Sequence, residues 1–315
     1  MRSERFNILE VNLFYLVIAI LLLTFGGYFQ KLNIKIGLLI TEYVIVLFPL
    51  LIFLKLRNKD IKKVLRLNRL RIKHAFLIIV ITLFMYPVAV FFNLLMMIII
   101  RSFSVIKPLP IPTADSFHEY IGLFFIIAIS AGICEEIFFR GMLLSAYEER
   151  FGKKAIVITA FLFGIFHFNL QNLFGPVVLG LIFGYLVYLT DSIYAGIIGH
   201  ITNNGLAVTL AYMIRVLSSK FNLQSGAVSE NTMPNVANMI GGLIFIGIVA
   251  IIMGILAYLL IKVIREDMKI DDVKNRCDER YRIDAGIYSA KERFVHYAPL
   301  IVVFLIYVFI CYIQF

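Results

Sequence analysis

Residues 120–140 read YIGLFFIIAISAGICEEIFFR, an apolar run that ends in Glu135, Glu136 and Arg140. A hydrocarbon core of about 30 Å needs about 20 helical residues, so the run predicts a membrane helix. A charged side chain at the centre of a membrane costs about 2.5–3.5 kcal/mol on insertion scales. These three charges therefore mark a candidate functional site on this helix.

The composition of the whole chain agrees with a membrane location. Of its 315 residues, 61% are hydrophobic and 16% are charged, and the mean hydropathy is +0.91. A soluble domain has about half apolar and about a quarter charged residues, so the composition excludes that class. The three cysteines form no CxxC pair and predict no disulfide framework: Cys134, Cys277 and Cys311.

Nine apolar segments separated by charged or proline-rich stretches predict an all-α polytopic bundle of about eight or nine membrane helices. The predicted segments are 11–30, 36–56, 74–100, 120–140, 155–170, 174–189, 192–214, 236–264 and 296–315. The fifth is short for a full crossing.

Basic residues in the loops predict the orientation of the chain. The net charge is +10, and between residues 55 and 73 nine basic residues face one acid, Asp60. The positive-inside rule places that loop and the N terminus in the cytoplasm, and it explains the charge without nucleic-acid binding. Alternation then puts 215–234 outside and 265–293 inside. A chain rich in Lys, Ile, Asn and Phe and devoid of Trp indicates an AT-rich bacterial genome, so we expect a multi-pass protein of a bacterial cell membrane.

The charges of the fourth segment are expected to differ in role. Glu136 and Arg140 are one turn apart on the same helix face, which predicts an ion pair, whereas Glu135 lies about 100° around the helix. Because Glu135 is less compensated, it suits a general base that takes a proton from water. A salt-bridge cluster at the membrane surface would explain the same three charges.

Polar groups in the fifth and seventh segments extend the pattern. His167 follows Phe163 by one turn, and Asn204 follows His200 by one turn. Each pair alone is also typical of hydrogen bonding between membrane helices, and Asn93 in the third segment predicts a local hydrogen bond. Taken together, buried polar groups on near-successive helices predict a shared wet cavity. A glutamate, imidazoles and an amide donor are groups that amide hydrolysis requires.

In this order, Glu135-Glu136-x-x-x-Arg140, Phe163-x-x-x-His167 and His200-x-x-x-Asn204 resemble the three motifs of the CPBP family of intramembrane proteases. This family is the CAAX prenyl endopeptidase and bacteriocin-processing or Abi group, and the resemblance spans about residues 122–210. It implies a membrane endopeptidase in which Glu135 and His167 activate water, His200 and Asn204 stabilise the oxyanion, and Glu136 with Arg140 organises the site. The expected division is N-terminal membrane helices (1–118), a catalytic CPBP/Abi-like core (119–213) and C-terminal membrane helices with a charged cytoplasmic loop (214–315).

The sequence leaves the cofactor and the activity open. Glu135, His167 and His200 could bind zinc with water as the fourth ligand, or act without a metal, so the cofactor is either none or zinc. The expected partners are a membrane-associated peptide or protein substrate and the lipid bilayer, with no nucleic acid; the oligomeric state is open. Two alternatives are a non-proteolytic CPBP-like protein, acting in bacteriocin immunity or as a scaffold for a membrane partner, and a transporter that relays protons through the buried carboxylates.

Overall fold

The computed structural model describes residues 6–104, 112–221, 236–268 and 290–314, and within these ranges all regular structure is helical. Nine apolar helices of this part of the chain correspond in order to the nine predicted segments. They are α1 (Ile8–Leu32), α2 (Ile34–Leu56), α3 (Ile72–Arg101), α4 (Phe117–Phe151), α5 (Lys154–Ile165), α6 (Phe174–Thr190), α7 (Ile193–Lys220), α8 (Val236–Asp267) and α9 (Ala290–Gln314). The predicted all-α polytopic bundle is confirmed.

The helices fall into two length classes. Among the described residues, seven helices, α1–α4 and α7–α9, are long and apolar enough to cross a bilayer. The other two, α5 and α6, have 12 and 17 residues and pack against each other. At 1.5 Å per residue they span about 18 Å and about 26 Å, less than the hydrocarbon core of about 30 Å. They therefore form a short hairpin inside the bundle.

Helix α4 is longer than the sequence predicted. It continues past residue 140 to Phe151 and stops at Gly152, whose φ is 53°. Most of the stretch between the predicted segments 120–140 and 155–170 is therefore helical, and two of its side chains have partners. Tyr147 is fully buried and donates its hydroxyl to Asn12 Oδ1 at 2.6 Å, while Glu148 pairs with Arg66.

Two π-helical stretches, Phe124–Ser130 and Ile137–Leu143, interrupt α4 on either side of the turns Ala131–Glu136. Such wide turns change the direction in which the following side chains point and are frequent at functional sites. They flank the two glutamates that the sequence singled out.

An aromatic cluster fixes α5 against α1 and α4. Tyr15 of α1 is fully buried, and its ring lies 6.1 Å from that of Phe138, 6.4 Å from that of Phe139 and 5.7 Å from that of Phe166. The Tyr15 hydroxyl donates to the carbonyl of Leu162 at 2.8 Å. The end of α5 is therefore held both by packing and by a directed hydrogen bond.

Several ion pairs between chain-distant residues lie at the two ends of the bundle. At one end, Arg66 pairs with Glu148 and Asp191, and Lys73 pairs with Asp267. At the other end, Lys35 pairs with Glu119 and Arg215 with Asp115. The first end collects the start of α3 and the ends of α4, α6 and α8, which agrees with the predicted alternation. Cys277, most of the predicted loop 265–293 and most of the predicted loop 215–234 lie outside the described residues.

Candidate active site

A cavity of about 240 Å³ lies between α3, α4, the α5–α6 hairpin and α7. Four of the six predicted site residues line it: Glu135, His167, His200 and Asn204. The remaining two, Glu136 and Arg140, stand outside the lining. The structure thus gathers the polar groups of three predicted segments around one cavity and separates the adjacent glutamates.

Glu136 and Arg140 form the predicted ion pair in the protein interior. Arg140 Nη1 donates to Glu136 Oε1 at 2.6 Å, and both residues are almost completely buried. The guanidinium also lies 4.5 Å from the centre of the Phe163 ring, a cation–π distance. Both residues belong to α4 and are enclosed by the protein, so the pair is not a solvent-exposed salt-bridge cluster.

The same carboxylate oxygen holds His200. Glu136 Oε1 lies 2.9 Å from His200 Nδ1, so the imidazole donates its Nδ1–H to the carboxylate. The His200 ring is stacked on Phe183, with centroids 5.9 Å apart, and meets Phe163 edge-on at 5.8 Å. With Nδ1 fixed on Glu136, the other nitrogen, Nε2, lies 3.9 Å from Glu135 Oε2.

Glu135 is more accessible than its neighbour. Its side chain is 14% exposed against 0% for that of Glu136, and it lines the cavity. Its Oε2 accepts no hydrogen bond from the described part of the chain. The oxygen itself is shielded from solvent, so Glu135 places on the cavity wall, close to His200, a carboxylate oxygen that the described residues leave unpaired.

His167 lies two residues beyond the end of α5, in the turn towards α6, and not inside a helix as the sequence predicted. Its Nδ1 is 2.9 Å from the carbonyl oxygen of Phe163. Because a carbonyl can only accept, Nδ1 carries the proton and, in the neutral ring, Nε2 is left as an acceptor. The next residue, Phe168, has a φ of 46°, and its carbonyl accepts from Gln314 Nε2 at 3.0 Å.

Asn204 is oriented by two hydrogen bonds. Its Nδ2 donates to the carbonyl of Ile127 at 2.9 Å, and its Oδ1 accepts from Asn203 Nδ2 at 3.0 Å. One of its two amide hydrogens is thus used by α4, and the other is left for a ligand in the cavity.

The predicted zinc ligands do not fit a zinc ion as they are arranged. No group of three His, Cys, Asp or Glu side chains among the described residues is placed to hold a metal. Glu135 and His200 approach each other, but His167 does not complete a cluster with them. We therefore derive no step of the chemistry through a metal.

Residues 117–206 match the family model described as "Type II CAAX prenyl endopeptidase Rce1-like". This segment is Rce1-like. The match confirms the resemblance drawn from the motifs and implies a membrane protease. It covers less than a third of the chain but includes all six predicted site residues. No curated protein and no solved structure matches the chain.

Two helices outside the Rce1-like segment bring polar groups to the site that the sequence reasoning did not assign to it. Glu42 of α2 is buried, its helix packs on Ala131–Glu136, and it interacts electrostatically with Glu135. Glu42 could have been found from the sequence, because it is the single carboxylate in the apolar segment 36–56. Asn93 of α3 lines the cavity, and its hydrogen bonds are not local: it donates to Asn172 Oδ1 at 2.9 Å and accepts from Gly175 N at 2.7 Å.

Gly196 of α7 allows the close approach of α7 to Glu136. A Cβ atom at this position would collide with Glu136 Oε2 and lie 3.0 Å from Val187 Cγ2. We expect Gly196→Ala to destabilise the protein by about 1–3 kcal/mol, because the buried carboxylate must move. Thermal unfolding of the purified protein measures the effect. Gly122→Ala is the matched control, since nothing lies within 4 Å of its Cβ position; equal melting temperatures of the two variants would contradict the tight fit at Gly196.

Proposed function

We propose that the protein is an intramembrane endopeptidase that hydrolyses a peptide bond of a membrane-associated peptide or protein. One observation carries the proposal: Glu135, His167, His200 and Asn204, all from the Rce1-like segment, line a single cavity. Glu136 supports the site from behind by binding both His200 and Arg140. This separation of two adjacent carboxylates gives each a different role.

In the proposed reaction, a water molecule in the cavity attacks the scissile carbonyl while Glu135 takes its proton. His167 Nε2 accepts a hydrogen bond from the same water and so orients it. As the new C–O bond forms, the electron pair of the carbonyl moves to its oxygen. General-base catalysis of this kind contributes about 10²–10⁴-fold.

The developing oxyanion needs donors, and α7 supplies them. Asn204 donates the amide hydrogen that Ile127 does not use. His200 becomes a second donor when Nε2 carries a proton in addition to the one that Nδ1 donates to Glu136. Loss of one such donor typically costs about 10²–10³-fold in rate. The proton held by Glu135 then passes to the leaving nitrogen, the oxyanion returns its electron pair to re-form the carbonyl, and the C–N bond breaks with its electron pair on that nitrogen.

A cleavage assay tests the proposal. Purified protein in lipid vesicles is expected to cleave a membrane-anchored reporter peptide, and His167→Ala and His200→Ala are expected to abolish cleavage. His118→Ala is the matched control, because His118 is exposed at the start of α4. A different result would favour the non-proteolytic alternative. In that case the wild-type protein cleaves no reporter, and Glu135→Ala, His167→Ala and His200→Ala all keep wild-type function in cells. The protein would then act in immunity or as a scaffold for a membrane partner.

We further propose that the N terminus lies in the cytoplasm of a bacterial cell. The support is the basic segment 55–73, which packs at the end of the bundle where Arg66 meets Glu148 and Asp191. A reporter fused after residue 64 is expected to be cytoplasmic, and one fused after residue 225, beyond the described residues, is expected to be outside. An external reporter at residue 64 would reverse the orientation.

A further inference from the structure

Asn203 lines the cavity beside the candidate oxyanion donor, although it belongs to none of the three motifs. It is adjacent in sequence to Asn204, and the two amides are joined by a hydrogen bond of 3.0 Å. Its own Oδ1 is buried and accepts no hydrogen bond from the described residues. A buried carbonyl oxygen without a partner is costly, so this one needs an explanation.

The orientation of both amides follows from a fixed acceptor. The carbonyl of Ile127 can only accept, so the atom of Asn204 that faces it at 2.9 Å is the amide nitrogen. The oxygen of Asn204 must then face Asn203, whose facing atom must in turn be its nitrogen. The remaining atom of Asn203 is therefore the oxygen, and a side-chain flip would break the chain of hydrogen bonds.

The other asparagine oxygens on the cavity wall are already used. Asn93 Oδ1 accepts from Gly175 N, Asn172 Oδ1 accepts from Asn93 Nδ2, and Asn204 Oδ1 accepts from Asn203 Nδ2. A peptide substrate brings N–H groups as well as carbonyl groups into the cavity. Of the four asparagines that line the cavity, Asn203 is the one whose oxygen has no bond.

We propose that Asn203 Oδ1 binds a backbone N–H of the substrate next to the scissile bond, while Asn204 faces the carbonyl that is attacked. The two neighbouring amides of α7 would then bind both an N–H and a carbonyl group of an extended substrate backbone. These two hydrogen bonds would set which peptide bond is cleaved without contacting the side chains of the substrate. The oxygen is shielded from solvent, so the substrate must shift part of the wall to reach it.

The inference rests on the proposed peptidase activity, and a double-mutant cycle between enzyme and substrate tests it. The probes are membrane-anchored reporter peptides in which one backbone N–H flanking the scissile bond is replaced by an ester oxygen, one position at a time. At one position, we expect the wild-type enzyme to lose about three- to tenfold in kcat/KM with the ester, as for a lost hydrogen bond. Asn203→Ala and Asn203→Leu are expected to show no such penalty, since the acceptor is gone.

Two further variants separate substrate binding from support of Asn204. Asn203→Asp keeps an acceptor but loses the donor to Asn204, so it should retain the ester penalty at a lower overall rate. Asn172→Ala, on the same wall, should retain the penalty as well. If Asn203 only positions Asn204, the Asn203 variants lose rate but keep the full penalty, and the inference is overturned. Equal penalties in the wild-type and Asn203→Ala enzymes refute it, whereas a wild-type enzyme that cleaves neither peptide refutes the peptidase proposal itself.

Discussion

Glu135→Gln is expected to reduce the rate of reporter cleavage by about 10²–10⁴-fold without loss of folded protein. Glutamine has the shape of glutamate but cannot take a proton from water. Because Glu135 Oε2 accepts no hydrogen bond from the described residues, the substitution removes little that stabilises the fold.

The measurement is the single-turnover cleavage rate of the purified variant at equal protein concentration, together with its melting temperature. Glu119→Gln is the matched control, because Glu119 lies on the same helix but pairs with Lys35 at the end of the bundle. The control should cleave at close to the wild-type rate. A Glu135→Gln variant that retains more than a tenth of the rate would exclude Glu135 as the base.

Glu136→Gln is expected to act mainly on stability, with a loss of about 3–5 kcal/mol in the free energy of unfolding. The substitution leaves the buried guanidinium of Arg140 without its counter-charge and weakens the hold on His200. Adding Arg140→Met should recover much of that loss, because an apolar side chain of similar volume needs no partner. Unfolding curves of the single and double variants in one detergent measure the coupling.

An exposed ion pair supplies the control for this second experiment. Lys262 and Glu266 of α8 are also one turn apart, at 3.9 Å, but both are exposed. Glu266→Gln should therefore change stability by less than about 1 kcal/mol. If Glu136→Gln were fully stable and catalytically dead while Glu135→Gln were unstable, the roles of the two glutamates would be reversed.

Features that depend on the spacing of residues along one helix could be predicted from the sequence. The spacing of four residues placed Glu136 beside Arg140, and the apolar runs located the nine apolar helices of the described residues, although not the extension of α4 to Phe151. Local spacing and local hydropathy are sufficient for such features because they depend on one helix at a time.

Features that join different helices could not be predicted in the same way. The contact of Glu136 with His200 spans 64 residues, and the proximity of Glu42 to Glu135 depends on how α2 packs against α4. The position of His167 in a turn was missed because the apolar residues around it, such as Phe166 and Phe168, read as a continuing helix.

The hydrogen bond from Gln314 to the Phe168 carbonyl has a consequence for the limits of the functional unit. Gln314 and Tyr15 belong to helices outside residues 117–206, yet one holds the turn that carries His167 and the other holds the end of α5. An excised fragment comprising the Rce1-like segment alone would lose both attachments. The smallest fragment that keeps the site intact must therefore include α1 and α9, and it is much larger than residues 117–206.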